Sequence, residues 1–120
     1  MKVVISGSRS IRCLPDEAKQ RIDTIVSLGA KVLVGDAPGV DCLVQEYLVS
    51  QGYGDVLVYH AYAKPRNNVG NFKTVGSFDS YAIRDAAMCI VADYGLCIWD
   101  GKSKGSQANI DRIRTRVVLV

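Results

Sequence analysis

The chain has 120 residues, 48% of them hydrophobic and 22% charged, a balance that fits one ordinary globular domain over residues 1–120 and excludes disordered and collagen-like polypeptides. Apolar runs such as Val32 to Val34 and Val117 to Val120 are far shorter than the roughly 18 residues a membrane span needs, so no membrane partner is expected. The net charge of +3 is local: Lys64, Arg66 and Lys73 stand without an acid between Ala61 and Phe78, and the rest of the chain is balanced.

The first predicted strand is Val3-Val4-Ile5, which runs into the turn cluster Gly7-Ser8-Arg9-Ser10. A helix follows from Pro15 to Leu28, with Pro15 at its first position, Asp16 and Glu17 at the positive end of the dipole, an inner stripe of Ile22, Ile25 and Val26, and Gly29 as its stop. Lys31 to Val34 is the second strand. After Gly35-Asp36-Ala37-Pro38-Gly39-Val40-Asp41 comes a helix with Leu43, Val44, Tyr47 and Leu48 inside, closed by Gly52. Val56 to Tyr59 is the third strand, and Ala61 to Phe78 reads as a long, basic, irregular loop. Asp79 then N-caps a helix that turns Ile83, Ala86, Ala87, Ile90 and Val91 inward. Leu96 to Trp99 is the fourth strand, Asp100 to Ser106 opens a helix with Ala108, Ile110 and Ile113 inside, and Val117 to Val120 is the last strand.

About five apolar strands alternating with four helices predict an α/β fold: a single open Rossmann-like parallel sheet with helices on both faces. Ligands of such sheets lie beyond the carboxyl ends of the strands, where three loops that put small residues against the start of a helix are expected. Small residues let backbone amides approach a ligand oxygen, and a helix N-terminus offers unpaired N–H groups, so phosphate is the natural guest. Gly7, Ser8 and Arg9 form the first loop, which also fits a plain turn. Gly35, Gly39 and Asp41 mark the second, where Asp41 also fits a simple N-cap. Gly101, Ser103, Lys104, Gly105 and Ser106 make the third, combining glycines, hydroxyls and lysines directly before a helix. Neither GxGxxG nor GxxxxGK[ST] is present, so no NAD-type or P-loop chemistry is indicated.

Cys13, Cys42, Cys89 and Cys97 form no CxxC pair, and the single histidine, His60, reads as a loop-packing residue at the end of the third strand. No metal or other cofactor is expected. The cysteines read as reduced thiols, with Cys42, Cys89 and Cys97 in the core. The opening Met1 to Gly7 does not read as a secretory signal, and the expected location is cytoplasmic.

Gly7-Ser8-Arg9, the GxAPGxD run from Gly35 to Asp41, Arg84-Asp85 with Met88 and Ala92-Asp93, and Trp99 to Ser106 together resemble, in order and spacing, the SLOG superfamily. The nearest likeness is to its small bacterial YspA-like branch, and it covers essentially the whole chain. The resemblance implies a Rossmannoid nucleotide-binding fold, in a superfamily that includes cytokinin-activating phosphoribohydrolases, the DNA-processing protein DprA and defence sensors, and whose members commonly dimerise. It places Arg84 where the phosphoribohydrolases carry a catalytic arginine, and matches Gly101 to Ser106 to their glycine-rich loop with a two-residue insertion. Their glutamate three residues further on is Asn109 here, which cannot accept a proton as a carboxylate does. Arg84 also fits a solvated helix charge or an ion pair.

The expectation is a binding module or sensor for a nucleotide or nucleotide-derived ligand, of ADP-ribose or nucleoside monophosphate type, with homodimers as the assembly. The alternative is an N-glycosidic hydrolase or transferase with a relocated carboxylate, Asp36, Asp41 or Asp100. Nucleic-acid binding through Lys64, Arg66 and Lys73 is the least expected reading and requires steep salt dependence.

Overall fold

β-Branched residues favour extended backbone and suit a sheet buried on both faces. The first run of them forms strand β1 (Lys2–Gly7), which lies inside the sheet with a parallel neighbour on each side. The computed structural model describes residues 1–120. After β1 come α1 (Asp16–Ser27), β2 (Lys31–Val34), α2 (Val40–Ser50), β3 (Val56–Ala61), β4 (Lys73–Phe78), α3 (Tyr81–Val91), β5 (Tyr94–Trp99), α4 (Lys104–Arg112) and β6 (Thr115–Leu119). The six strands are all parallel, in the order β4-β3-β2-β1-β5-β6. The chain walks outward from β1 to β4 and returns to the other side of β1 for β5 and β6. The carboxyl ends of β1 and β5 therefore flank the point where the strand order reverses, where α/β sheets open a crevice.

Alternation along the strands divides the core into two layers. Val3, Ile5, Val32, Val34, Val58 and Ile98 pack on one face against Ala18 and Ile22 of α1 and Val40, Val44 and Leu48 of α2. Val4, Leu33 and Tyr59 pack on the other against Met88 and Cys89 of α3. Fully burying an aliphatic side chain stabilises by about 1.5–3 kcal/mol, and Ile5, Ile22, Leu33 and Leu48 are all fully buried.

The structure corrects several expectations. The segment Ala61 to Phe78 is not wholly irregular: Lys73 to Phe78 is a sixth strand, pairing with β3 through Leu57↔Lys73 and Tyr59↔Val75. Its signal is faint because β4 is an edge strand with no fully buried residue, so no apolar run is needed. In α3 most of the expected inner stripe faces outward: Ile83 is 50% exposed, Ile90 82% and Val91 43%, while Ala87 packs against the core as expected and Arg84, Met88 and Cys89 are buried. An arginine whose charge is matched inside the protein occupies the inner face, which a hydrophobicity pattern alone assigns to isoleucine. Ser80, not Asp79, caps α3, its Oγ accepting the Ile83 N–H at 3.1 Å. Pro15 precedes α1 as its N-cap residue. Ile113 lies just past the end of α4, whose buried positions are Ser106 and Asn109. Cys42 is half-buried, whereas Cys89 and Cys97 are in the core as expected, and all four thiols are free. His60 is a buried residue within β3, packed against Gly76 of β4, where no side chain would fit.

Candidate functional site

A cleft of about 190 Å³ opens at the carboxyl ends of the strands, between the β1–α1 loop, α3 and the start of α4. Of the residues singled out in the sequence, Gly7, Ser8, Arg9, Asp41, Arg84, Ser103, Gly105 and Ser106 line it. Gly35 sits behind the lining, Gly39 abuts the backbone of Arg9, and Gly101 and Lys104 are exposed beside the loop.

The β1 and β5 loops are bound to each other. Ser8 N–H donates to the Ile98 carbonyl at 3.0 Å, and the Val40 N–H donates to the Ser8 carbonyl at 3.2 Å. Ser8 Oγ accepts the Asp100 N–H at 2.9 Å and pairs with Ser103 Oγ at 2.9 Å. A Cβ at Gly7 would collide with the Ile98 carbonyl and with Val40, so the approach of these strands and α2 requires glycine there.

Asp100 folds the next loop. Its Oδ1 accepts the N–H groups of Lys102 and Ser103 at 2.8 and 2.9 Å, and its Oδ2 accepts Ser10 Oγ at 2.8 Å. Those backbone donations, with the seryl hydroxyl, hold its carboxyl well below the usual carboxylate range. Asp100 is thus committed to the loop. The loop delivers α4 with no side-chain N-cap, because the Ser103 hydroxyl is turned onto Ser8. Gly105 and Ser106, in the first turn, border the cleft, and nothing lies within 4 Å of where a Gly105 Cβ would be.

The deeper wall is a charge network. Asp36 is fully buried, its Oδ1 accepting Arg84 Nη1 at 2.6 Å and Arg66 Nη2 at 3.2 Å, its Oδ2 accepting the Arg66 N–H at 2.7 Å. Desolvation alone would raise its pKa, but the hydrogen bonds and charge of Arg66, with the charge of Arg84, outweigh it and hold the carboxyl below its ordinary value. Arg84 also donates from Nε and Nη2 to Asp85 Oδ1 at 3.0 and 2.8 Å. Burial would lower the Arg84 pKa, but Asp85, Asp41 and Asp36 reverse that and raise it, so it stays charged.

Asp41 is not the N-cap of α2, a position held by Gly39 with φ +81°. It sits in the first turn and reaches back to accept the Ala37 N–H at 3.1 Å. Burial pushes its carboxyl up to about 7, against the opposing pull of Arg84 and the Ala37 N–H. A Cβ at Gly35 would collide with Asp41 Oδ2 and crowd the Arg84 guanidinium, so glycine lets both side chains share this corner.

Tyr81 and the role of Arg66 escaped the sequence reading. The Arg66 guanidinium lies 3.9 Å from the Tyr81 ring centroid and that of Arg84 5.3 Å away, while Tyr62 meets the ring edge-on at 5.3 Å. The visible signal was one arginine in an acid-free segment, opposite a buried aspartate in the GxAPGxD run. Asn109 borders the cleft beside Asp85, its amide 3.4 Å from Asp85 Oδ2 and its Oδ1 accepting Arg112 Nη1 at 2.8 Å. No three His, Cys, Asp or Glu side chains are gathered as a metal ion requires, and no helix is long and apolar enough to cross a membrane.

Comparison of the chain with protein-family models, with curated proteins and with solved structures returned no match.

Proposed function

We propose that this protein binds a nucleotide or nucleotide-derived ligand, of ADP-ribose or nucleoside monophosphate type, as a binding module or sensor. One observation carries the reading: the uncapped first turn of α4 opens on a cleft bordered by Ser8, Ser103, Ser106 and the exposed Arg9. Unpaired N–H groups and the positive end of the helix dipole favour an anion there, and the hydroxyls add donors to its oxygens. The SLOG-like motifs support the same reading, because the loops that carry them converge on this cleft.

The free carboxyl oxygen of Asp41 and the position of Asp85 favour a second reading, N-glycosidic hydrolysis or transfer with a relocated carboxylate. Asp36 and Asp100 are tied into the fold and are poorer candidates for that role. Arg66 is likewise held by Asp36 and Tyr81, which weighs against the cationic segment serving as a nucleic-acid track.

For assembly we favour a homodimer through α3. Its outward face carries Ile83 and Ile90, two turns apart and 50% and 82% exposed, so an antiparallel copy would set the isoleucines of one helix against those of the other across a two-fold axis. The four free thiols accord with a cytoplasmic location. Native mass spectrometry of the purified protein tests ligand and assembly together. A retained nucleotide-sized mass on a dimer supports the account, and release of free base from nucleoside monophosphates supports the enzymatic reading.

A further inference from the structure

The network at the deeper wall of the cleft joins three carboxyl groups to two guanidinium groups, and its charges do not balance; the third arginine of the cleft, Arg9, is exposed and pairs with none of them. Arg84 holds Asp36 on Nη1 at 2.6 Å and Asp85 on Nη2 at 2.8 Å, and Arg66 holds Asp36 from the other side at 3.2 Å. Asp36 and Asp85 thereby match the two arginines. Asp41 is the third acid: only 5% exposed, bordering the same cleft, in no ion pair, and bonded only to the Ala37 N–H through one oxygen. Each guanidinium nitrogen of Arg84 already faces another carboxylate.

The groups around Asp41 give it no further cation. Arg84 and Asp85 approach from α3 and Asp36 from the loop after β2, while the thiols of Cys42 in α2 and Cys97 in β5 feel its charge. Arg9 and Arg66 border the cleft without pairing to it, and Ser8 and Ser106 bring only hydroxyls. An ionised Asp41 would leave one buried negative charge in excess, in the space where a ligand phosphate would arrive. Two anions at close range in a desolvated site repel strongly. A neutral carboxylic acid in the same place is a hydrogen-bond donor.

We propose that Asp41 meets the anionic group of the ligand as a protonated carboxyl that donates a hydrogen bond to it, so that the ligand and one proton enter the cleft together. The proton comes from solvent onto the free Asp41 carboxylate, and no covalent bond changes. The inference rests on the reading of this cleft as a phosphate site. Its carboxyl, pushed up to about 7 by burial, can take that proton near neutrality.

Isothermal titration with ADP-ribose between pH 5.5 and 8.5 tests this, since its phosphates are diesters that keep their charge over the range. The expected result is a Kd that rises about tenfold per pH unit above pH 7. Titrations at pH 8 in buffers of different ionisation enthalpy should then show close to one proton taken up per ligand, falling toward none at pH 5.5. Asp41→Asn should bind with the low-pH affinity at every pH. If that variant does not fold, the proton count on the unaltered protein decides alone. Binding with a flat Kd, or one that tightens as pH rises, with no proton uptake, overturns the proposal and makes Asp41 an acceptor for a sugar hydroxyl while the phosphate reading stands. Absence of binding by both ADP-ribose and AMP at every pH overturns that reading and the proposal with it, and if AMP alone binds, the same proton count is taken with AMP at pH 8.

Discussion

Arg84 donates from Nη1 to Asp36 Oδ1 across 2.6 Å, a pair in which the arginine side chain is 7% exposed and the aspartate 1%. The bond ties the third helix to the loop after the second strand and so fixes the rear wall of the cleft.

Removing one partner of a buried ion pair strands the other without compensation, at a cost of about 3–5 kcal/mol. Arg84→Ala and Asp36→Asn are therefore each expected to lower stability by about that much in urea denaturation, and the double variant by less than the sum, because the two losses share one interaction. Additive losses would show that the pair does not act as a unit.

Asp41 gives stability a pH dependence of defined sign. Its folded-state pKa is raised from 3.8 to about 7, so between these values the folded chain holds a proton that the unfolded chain releases. Stability from this group thus falls as pH rises from about 4 to about 7 and levels off above. Asp41→Asn removes the slope: its melting temperature relative to the unaltered protein should be higher at pH 8 than at pH 5. A difference that does not change with pH would contradict the assignment.

Gly105 separates folding from binding. A Cβ there meets no atom of the protein within 4 Å, and glycine at a helix position costs about 0.5–1 kcal/mol relative to alanine. Gly105→Ala should leave stability unchanged or slightly improved in a melt, while weakening a phosphorylated ligand at least tenfold by occupying the approach to the α4 amides. Unchanged affinity by titration would move the phosphate away from this turn.

The outward stripe of α3 predicts that Ile90→Glu yields monomers with an intact fold, because Ile90 is 82% exposed and contributes little to the core. Light scattering across a concentration series reads the result, and a dimer that persists in this variant would exclude α3 as the contact.

The sheet was legible because short apolar runs rich in valine and isoleucine, Val3-Val4-Ile5 and Val32 to Val34, suit inner strands covered on both faces. The cleft loops were legible because glycine at positions 7, 35 and 39 marks places where backbone must pass close to other groups. The edge strand from Lys73 to Phe78 was not, since one-sided pairing leaves its side chains exposed and removes the apolar signature. The facing of α3 was misread for a related reason: hydrophobic pattern assigns charges to solvent, whereas Arg84 is buried by virtue of Asp36 and Asp85, which lie 48 residues before it and one after it in the chain. Tyr81 and Arg66 were hidden likewise, because their meeting depends on the path of the connection between β3 and β4.

The most direct test of phosphate-directed binding is a thermal-shift series with ADP-ribose, AMP and adenosine on the unaltered protein and on Gly105→Ala. A ligand at 100 times its Kd adds about 2.7 kcal/mol to stability. The account predicts a concentration-dependent rise in melting temperature with at least one of the phosphorylated compounds, little or none with adenosine, and a diminished rise in Gly105→Ala. Equal shifts for adenosine and AMP, or no shift with any compound, would contradict it.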